Sequence, residues 1–398
     1  MDKKKLFILC VIIAITASFV TGLFVYFYQT SKIKGNDILL GKGNYQDIQK
    51  YMEISDLEKI IGETYYRDVE QNALVTGTLK GMVESLGDRY SVYYSENEYK
   101  EFNKQTDADM AGIGISAGPY QGTGHLKVER IYAAGPAETA GILENDVIRA
   151  VDGTDVAGLD YESSLNMLRG PAGTAVKLLV QTGTDAPRDV EVARANVDMQ
   201  YVTFTMLNDT VGQIVISEFN GKCVEEFKKA IQSLKDAGAQ GVVIDVRGNM
   251  DGSIKDAVAM LDEILPEGIA TYTVDKNNER DELKVNAEYY DIPLVVLVDE
   301  NTASASEVFA GAVQASARGK VIGTKTYGKG VVQSVVDMPY SGGGAKLTSA
   351  LYYTPNDKAI NDGITPDVAV SNPAGKLTFE TDAQLQQGIA ALAEVKPN

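Results

Sequence analysis

The second half of the chain constrains the fold most tightly. From Gln200 onward, short and nearly continuous apolar runs alternate with segments of helical spacing. They read VGQIVISEF, a helix over Val224 to Asp236, QGVVIDVRGN, a helix over Ile254 to Leu265, PLVVLVD, one more helix and KVIG. Strands that are apolar on successive residues need cover on their faces, so this alternation predicts a sheet with helices packed on it.

The strand PLVVLVD, Pro293 to Asp299, ends in a turn of small residues. Glu307 to Ala317 then has helical spacing, with Val308, Phe309 and Val313 on one side. Ser304 therefore falls just before a helix start. A hydroxyl there can be activated, and the free N–H groups of the first helical turn can meet a developing negative charge. The alternative is an N-cap, because Ser304 and Glu307 also have capping-box spacing.

The available bases narrow the chemistry. The chain has one histidine, His125, in a glycine-rich turn read as solvated, and two cysteines, of which Cys10 lies in an apolar N-terminal run. A Ser-His-Asp triad would have to recruit His125 from another domain, and a zinc site of several His and Cys ligands cannot be assembled. Lysine is the remaining base. Lys329 stands between two glycines in TYGKGVVQ, ahead of a strand over Val331 to Val336. Its side chain must be neutral to act, so its pKa has to fall from about 10.4 to about 7–8, which apolar burial achieves. Tyr327, Val331 and Val332 supply such surroundings, and Gln333 can orient the amine without adding charge. The alternative is a hairpin with an exposed lysine.

These two motifs together resemble the active-site region of the carboxyl-terminal processing peptidases, or tail-specific proteases. Members of that family place a serine in a small-residue turn before a Glu-hydrophobic helix, and a lysine in an aromatic-Gly-Lys-Gly element about 25 residues later. The resemblance runs from about Asp56 to the C-terminus. It implies a crotonase-like (ClpP-like) protease domain, with Ser304 as nucleophile, Lys329 as base and Gln333 as the residue that orients it. The family usually carries Arg-x-Asn-Pro-Gly-Gly after a buried strand, where a backbone N–H completes the oxyanion hole. This chain reads Arg247-Gly248-Asn249-Met250-Asp251-Gly252, with Met250 and Asp251 in place of Pro and the first Gly. Gly252 is the donor carried over, and the N–H of Ala305 is the other.

Upstream, about Asp109 to Val197 resembles a PDZ domain, whose family trait is capture of a peptide C-terminus. A glycine-rich loop leaves N–H groups for a carboxylate while the peptide adds as a strand, and Gly112, Ile113 and Gly114 match that loop. A β-rich scaffold whose glycines only turn corners is the alternative. Arg169, in LRGPAGT at the end of the helix bordering the groove, is read as a regulatory contact to the protease domain, against a simple helix-end cation. Helical patterns fill Asp56 to Tyr65 and Asn72 to Leu86, with a third short helix at Glu96 to Lys104. The Leu-Gly-Asp-x-aromatic-Ser turn between the last two, also found in related proteases, is read as structural.

At the N-terminus, Lys3, Lys4 and Lys5 precede an uncharged run from Leu6 to Tyr28 that is long enough to span a bilayer. The lysines keep the tip cytoplasmic, so the remainder is expected outside; a cleaved signal peptide is the competing reading. The predicted organisation is a multidomain α/β and α+β chain. It comprises a tip and transmembrane anchor over 1–28, a linker over 29–50, a helical region over 51–106, a PDZ domain over 107–198, a protease domain over 199–370 and a helical tail over 371–398. A net charge of -18 argues against a nucleic-acid partner. Substrates are proteins or peptides with accessible C-termini, the membrane is contacted through the N-terminal helix, no metal or other cofactor is implied, and a homo-oligomer is left open. An inactive PDZ adaptor and a crotonase-like enzyme acting on acyl thioesters are the alternatives.

Overall fold

The computed structural model describes residues 42–395 apart from 105–110, 121, 133, 160, 197–199, 251, 287, 374 and 376. The expected span from Leu6 to Tyr28 lies outside these residues. Among the described residues no helix is long and apolar enough to cross a membrane. The chain divides into two units, one ending at Thr78 and one starting at Leu79.

The first unit holds helix α1 (Lys42–Thr64) and the opening turns of α2 (Gln71–Glu84). Helix α1 begins inside the stretch whose glycines and polarity suggested a linker. Polarity does not prevent a helix, since Gln, Glu, Lys and Met are all good helix formers. Tyr51, Met52, Leu57 and Ile60 of α1 are exposed.

The second unit contains three sheets. The PDZ sheet consists of β2 (Ile115–Pro119), β3 (Leu126–Ile131), β4 (Val147–Val151), β6 (Ala175–Gln181) and β7 (Arg188–Ala193) in spatial order, with β5 (Thr154–Asp155) paired to β4. Strand β2 forms one edge of it, beside helix α5 (Tyr161–Met167), and α4 (Pro136–Thr139) is a single turn. A separate antiparallel sheet is built on β16 (Gly343–Tyr353), which pairs with β1 (Val92–Tyr94), β11 (Gly268–Asp275) and β15 (Val331–Met338); β12 (Arg280–Val285) pairs with β11. Helix α3 (Glu96–Lys104) packs against β16.

The six-stranded sheet carries the site. Its order is β17 (Val368–Ala369), β14 (Gly319–Gly323), β13 (Leu294–Val298), β10 (Gly241–Asp245), β9 (Val211–Ile216) and β8 (Val202–Met206), with β8 antiparallel to five parallel strands. Alternate residues of these strands enter different cores. Val242, Ile244, Val296 and Val298 pack with helices α6 (Cys223–Asp236), α7 (Ile254–Leu261) and α8 (Ala305–Ala315). Val243, Val295 and Leu297 face Leu385, Ala391 and Leu392 of α9 (Ala383–Leu392). Two covered faces explain why the strands read as unbroken apolar runs. Helix α7 stops at Leu261, short of the expected Leu265, but Ile264 and Leu265 still enter the first core from a turn.

Candidate active site

Three loops leave the carboxyl ends of adjacent parallel strands: residues 246–252 after β10, 299–304 after β13 and 324–330 after β14. Ser304 ends the second of these loops. Its backbone has φ 58° and ψ -118°, a region that L-residues avoid at a cost of about 1–3 kcal/mol. Helix α8 starts at Ala305, two residues before the predicted Glu307, so the serine caps the helix directly. The Ala305 N–H has no hydrogen-bond partner among the described residues. That is the state required of an oxyanion donor. Ser306, the nearest rival nucleophile, is fully buried and donates its hydroxyl to the Asn249 carbonyl at 2.9 Å.

Glu307 joins the serine turn to the lysine loop. Its carboxylate is fully buried; Oε2 accepts the N–H of Ser304 at 3.1 Å and the N–H of Lys329 at 2.7 Å. Two nitrogens bound to one oxygen cannot be farther apart than the combined bond lengths, so the Ser304 and Lys329 backbones lie within 5.8 Å of each other. The other oxygen, Oε1, accepts the Gly328 N–H at 2.7 Å and the Thr326 hydroxyl. Burial pushes the Glu307 carboxyl up, against the downward pull of these hydrogen bonds. The spacing of Ser304 and Glu307 thus signals more than a cap, since the same carboxylate is the anchor of the neighbouring loop.

The glycines around Lys329 are required by close packing. A Cβ on Gly330 would come within 2.3 Å of the Asn361 nitrogen, and one on Gly328, at φ 86°, within 2.7 Å of the Asn361 carbonyl oxygen. Lys329 and Gln333 line a cavity of about 250 Å³ together with Ala303, Tyr327 and Met250. Pro119 and Tyr161 of the PDZ domain also line it. Met250 stands where the related pattern has proline. It packs on PDZ strand β2, where a Cβ on Gly118 would lie 2.5 Å from its sulfur. Gly252, the other predicted oxyanion donor, bridges Phe219 at φ 134°, and a Cβ there would meet Phe219 at 2.7 Å. It is not among the residues lining the cavity.

In the PDZ domain, Ile113 is buried, and the carbonyls of Gly112, Ile113 and Gly114 accept from Ala195, Ala137 and Tyr132. Gly112 also bridges Ala195 in antiparallel fashion, so its backbone is tied to that segment. Along β2, Tyr161 Oη donates to the Ala117 carbonyl at 2.7 Å. His125 departs from the expected solvated turn. Its side chain is only 12% exposed and sits 3.4 Å from Asp155, because the turn folds onto Ala157. Arg169 follows α5, is exposed, and lines a second cavity of about 1180 Å³. It acts electrostatically on Tyr201 beside β8: burial, reinforced by Glu218, pushes that phenol up to about 12, and Arg169 opposes the rise.

Three segments of the chain match known families. Residues 210–370 match peptidase family S41, residues 127–182 a PDZ domain, and residues 17–98 the N-terminal domain described as that of the activating protease CtpB. The carboxy-terminal processing protease CtpA of Bacillus subtilis is 32% identical over 375 residues, covering 93% of this chain and 78% of that protein. A carboxyl-terminal-processing protease of Synechocystis is 31% identical, covering 84% and 80%. Among solved structures, the photosystem II D1 C-terminal processing protease aligns with a TM-score of 0.61 at 27% identity, over 81% of this chain and 93% of that one.

Proposed function

Because the chain belongs to the carboxy-terminal processing proteases of peptidase family S41 and carries their PDZ domain, we infer that it is a serine endopeptidase with a Ser304-Lys329 dyad. In this reading Ser304 Oγ attacks the scissile carbonyl. Lys329 takes the Ser304 proton and later returns a proton to the leaving amine. Gln333 orients the amine, and the Ala305 N–H receives the oxyanion. The observation that carries the reading is the single Glu307 oxygen bound by the N–H groups of both Ser304 and Lys329.

The substrate is a protein whose C-terminus docks at Gly112, Ile113 and Gly114 and extends along β2. Pro119 and Tyr161 line the same cavity as Lys329, so the docking strand reaches the side of the base. Substrate docking therefore has to move Tyr161 off the Ala117 carbonyl. Arg169 is the candidate for relaying that movement to the protease domain through the Tyr201 region. The uncharged run from Leu6 to Tyr28 anchors the enzyme, with its catalytic part outside the cytoplasm.

A fluorophosphonate probe and a peptide-cleavage assay test the dyad. Ser304→Ala is expected to lose both labelling and cleavage while keeping its melting temperature. Lys329→Arg is expected to be as inactive as Lys329→Ala, because a guanidinium does not give up its proton in the working range. Turnover by the arginine variant, or labelling of the alanine variant at another serine, would refute the assignment.

A further inference from the structure

The turn at residues 88–91 was read from sequence as structural, yet it meets the lysine loop at several points. Gln333 Nε2 donates to the Tyr90 carbonyl at 2.6 Å, across 243 positions of sequence. A carbonyl only accepts, so this bond decides which end of the Gln333 amide is which and turns Oε1 away from Tyr90. Tyr90 Oη in turn donates to the carbonyl of Gly328, the residue before Lys329, at 3.1 Å. The Arg89 guanidinium lies 4.5 Å from the Tyr327 ring centroid and 4.8 Å from that of Tyr90, and it donates to Tyr90 Oη at 2.6 Å. The turn is itself braced. Asp88 accepts the Tyr90 N–H at 3.1 Å and the Ser91 hydroxyl at 2.6 Å, and Ser91 Oγ accepts the Thr348 N–H of β16 at 3.0 Å.

We propose that Tyr90 is a positioning residue for the Lys329 base, holding the lysine loop through the Gly328 carbonyl and the Gln333 amide through its own carbonyl. The proposal rests on the Ser304-Lys329 reading and adds a second clamp to it. Glu307 grips the N–H groups of Gly328 and Lys329, and Tyr90 grips the Gly328 carbonyl, so both polar groups of the Gly328 residue are restrained. The lysine side chain beyond this point has four rotatable bonds. A neutral amine is useful as a base only when its lone pair faces the serine. Gln333 Oε1, turned away from Tyr90, is the acceptor that can hold an N–H of that amine. Burial pushes the Tyr90 phenol up to about 12, so its hydroxyl remains a donor throughout the working range. A displacement of the base by about 1 Å is enough to cost on the order of 100-fold in rate.

Tyr90→Phe keeps the ring beside Arg89 and removes only the hydroxyl bonds. It is to be compared in the full chain with Asp88→Asn, which loosens the turn from behind, and with Lys329→Ala. The expected result for Tyr90→Phe is a kcat about tenfold lower with unchanged KM and melting temperature. This split between kcat and KM is the readout that a merely structural role would not give. Asp88→Asn should lower kcat in the same way, and it carries the decision alone should Tyr90→Phe not fold. An unchanged kcat, with Lys329→Ala inactive, overturns the positioning role and leaves the dyad standing. A loss of rate that only follows a loss of melting temperature, or that comes with a matching rise in KM, also overturns it. An active Lys329→Ala overturns the proposal together with the dyad.

Discussion

Replacing Glu307 by glutamine tests whether one buried carboxylate holds the two halves of the site together. The carboxylate accepts four hydrogen bonds, two on each oxygen. Glutamine can supply only one of those oxygens. Its better orientation keeps the carbonyl at the Oε2 position, still accepting from Ser304 and Lys329, and points the amide nitrogen at Thr326. The Thr326 hydroxyl can rotate to accept, even though it already accepts the Ile364 N–H at 2.7 Å. The Gly328 N–H has no such freedom and is left facing a donor. A buried orphan of this kind costs about 1–3 kcal/mol, so the urea midpoint should fall by that amount divided by the m-value. Glu307→Ala strands the backbone donors of Ser304, Gly328 and Lys329 together and is expected to cost roughly 3 kcal/mol or more. Activity should fall further than stability at each step, because the lysine loop loses its register against Ser304. Equilibrium urea unfolding and kcat on a common peptide, measured for wild type, Gln and Ala, give the comparison. A glutamine variant with the wild-type midpoint and the wild-type kcat would refute the clamp.

Glu129 on β3 gives a pH prediction: burial, then the nearby negative charge of Asp299, raises its carboxyl to about 8, against the opposing charges of Lys127 and Arg130. The native state therefore holds a proton that the unfolded chain releases near 4.5, so this contribution is complete below about 4.5 and is lost as the pH rises through about 8. Glu129→Gln should flatten the decline in urea midpoint between about pH 4.5 and 8, the window set by those values, and equal slopes for the two proteins would rule the account out. Arg169→Ala should lower turnover several-fold at unchanged peptide affinity and unchanged melting temperature, an order-of-magnitude expectation for a lost electrostatic contact between domains; normal turnover at saturating substrate ends the regulatory reading.

Much of the protease domain was legible because its physics is local. A strand covered on both faces writes itself as an apolar run, and β10, β13 and β14 each show one. The Gly-Lys-Gly element was legible for a similar reason, since two glycines around a functional residue announce a backbone that another segment approaches closely. Asn361 supplies that approach. Helix α1 is obscured in the sequence because its neighbouring glycines and polar residues mask the helix formers among them. His125 was misplaced because turn composition says nothing about what the turn packs against.

The parts of the site that escaped the sequence are those whose partners lie far along the chain. Tyr90 and Gln333 meet across 243 positions, and no periodicity relates them. Some signal was nevertheless available at other positions. Glu307 lies in EVFAGAV, where every neighbour on the helix is apolar or small, and an acid so placed must be buried. A buried carboxylate requires donors, and the donor-rich turn TYGKG twenty residues on was the natural source. Gly118, next to the end of an edge strand, was a similar signal, because a glycine there marks the approach of other groups, here the Glu129 carboxylate and the Met250 thioether. Met250 breaks the related Pro-Gly-Gly pattern at the point where the PDZ domain presents a residue without a side chain. The glycine leaves room for Glu129 and Met250 together, and a long flexible thioether reaches into that space where a proline would not.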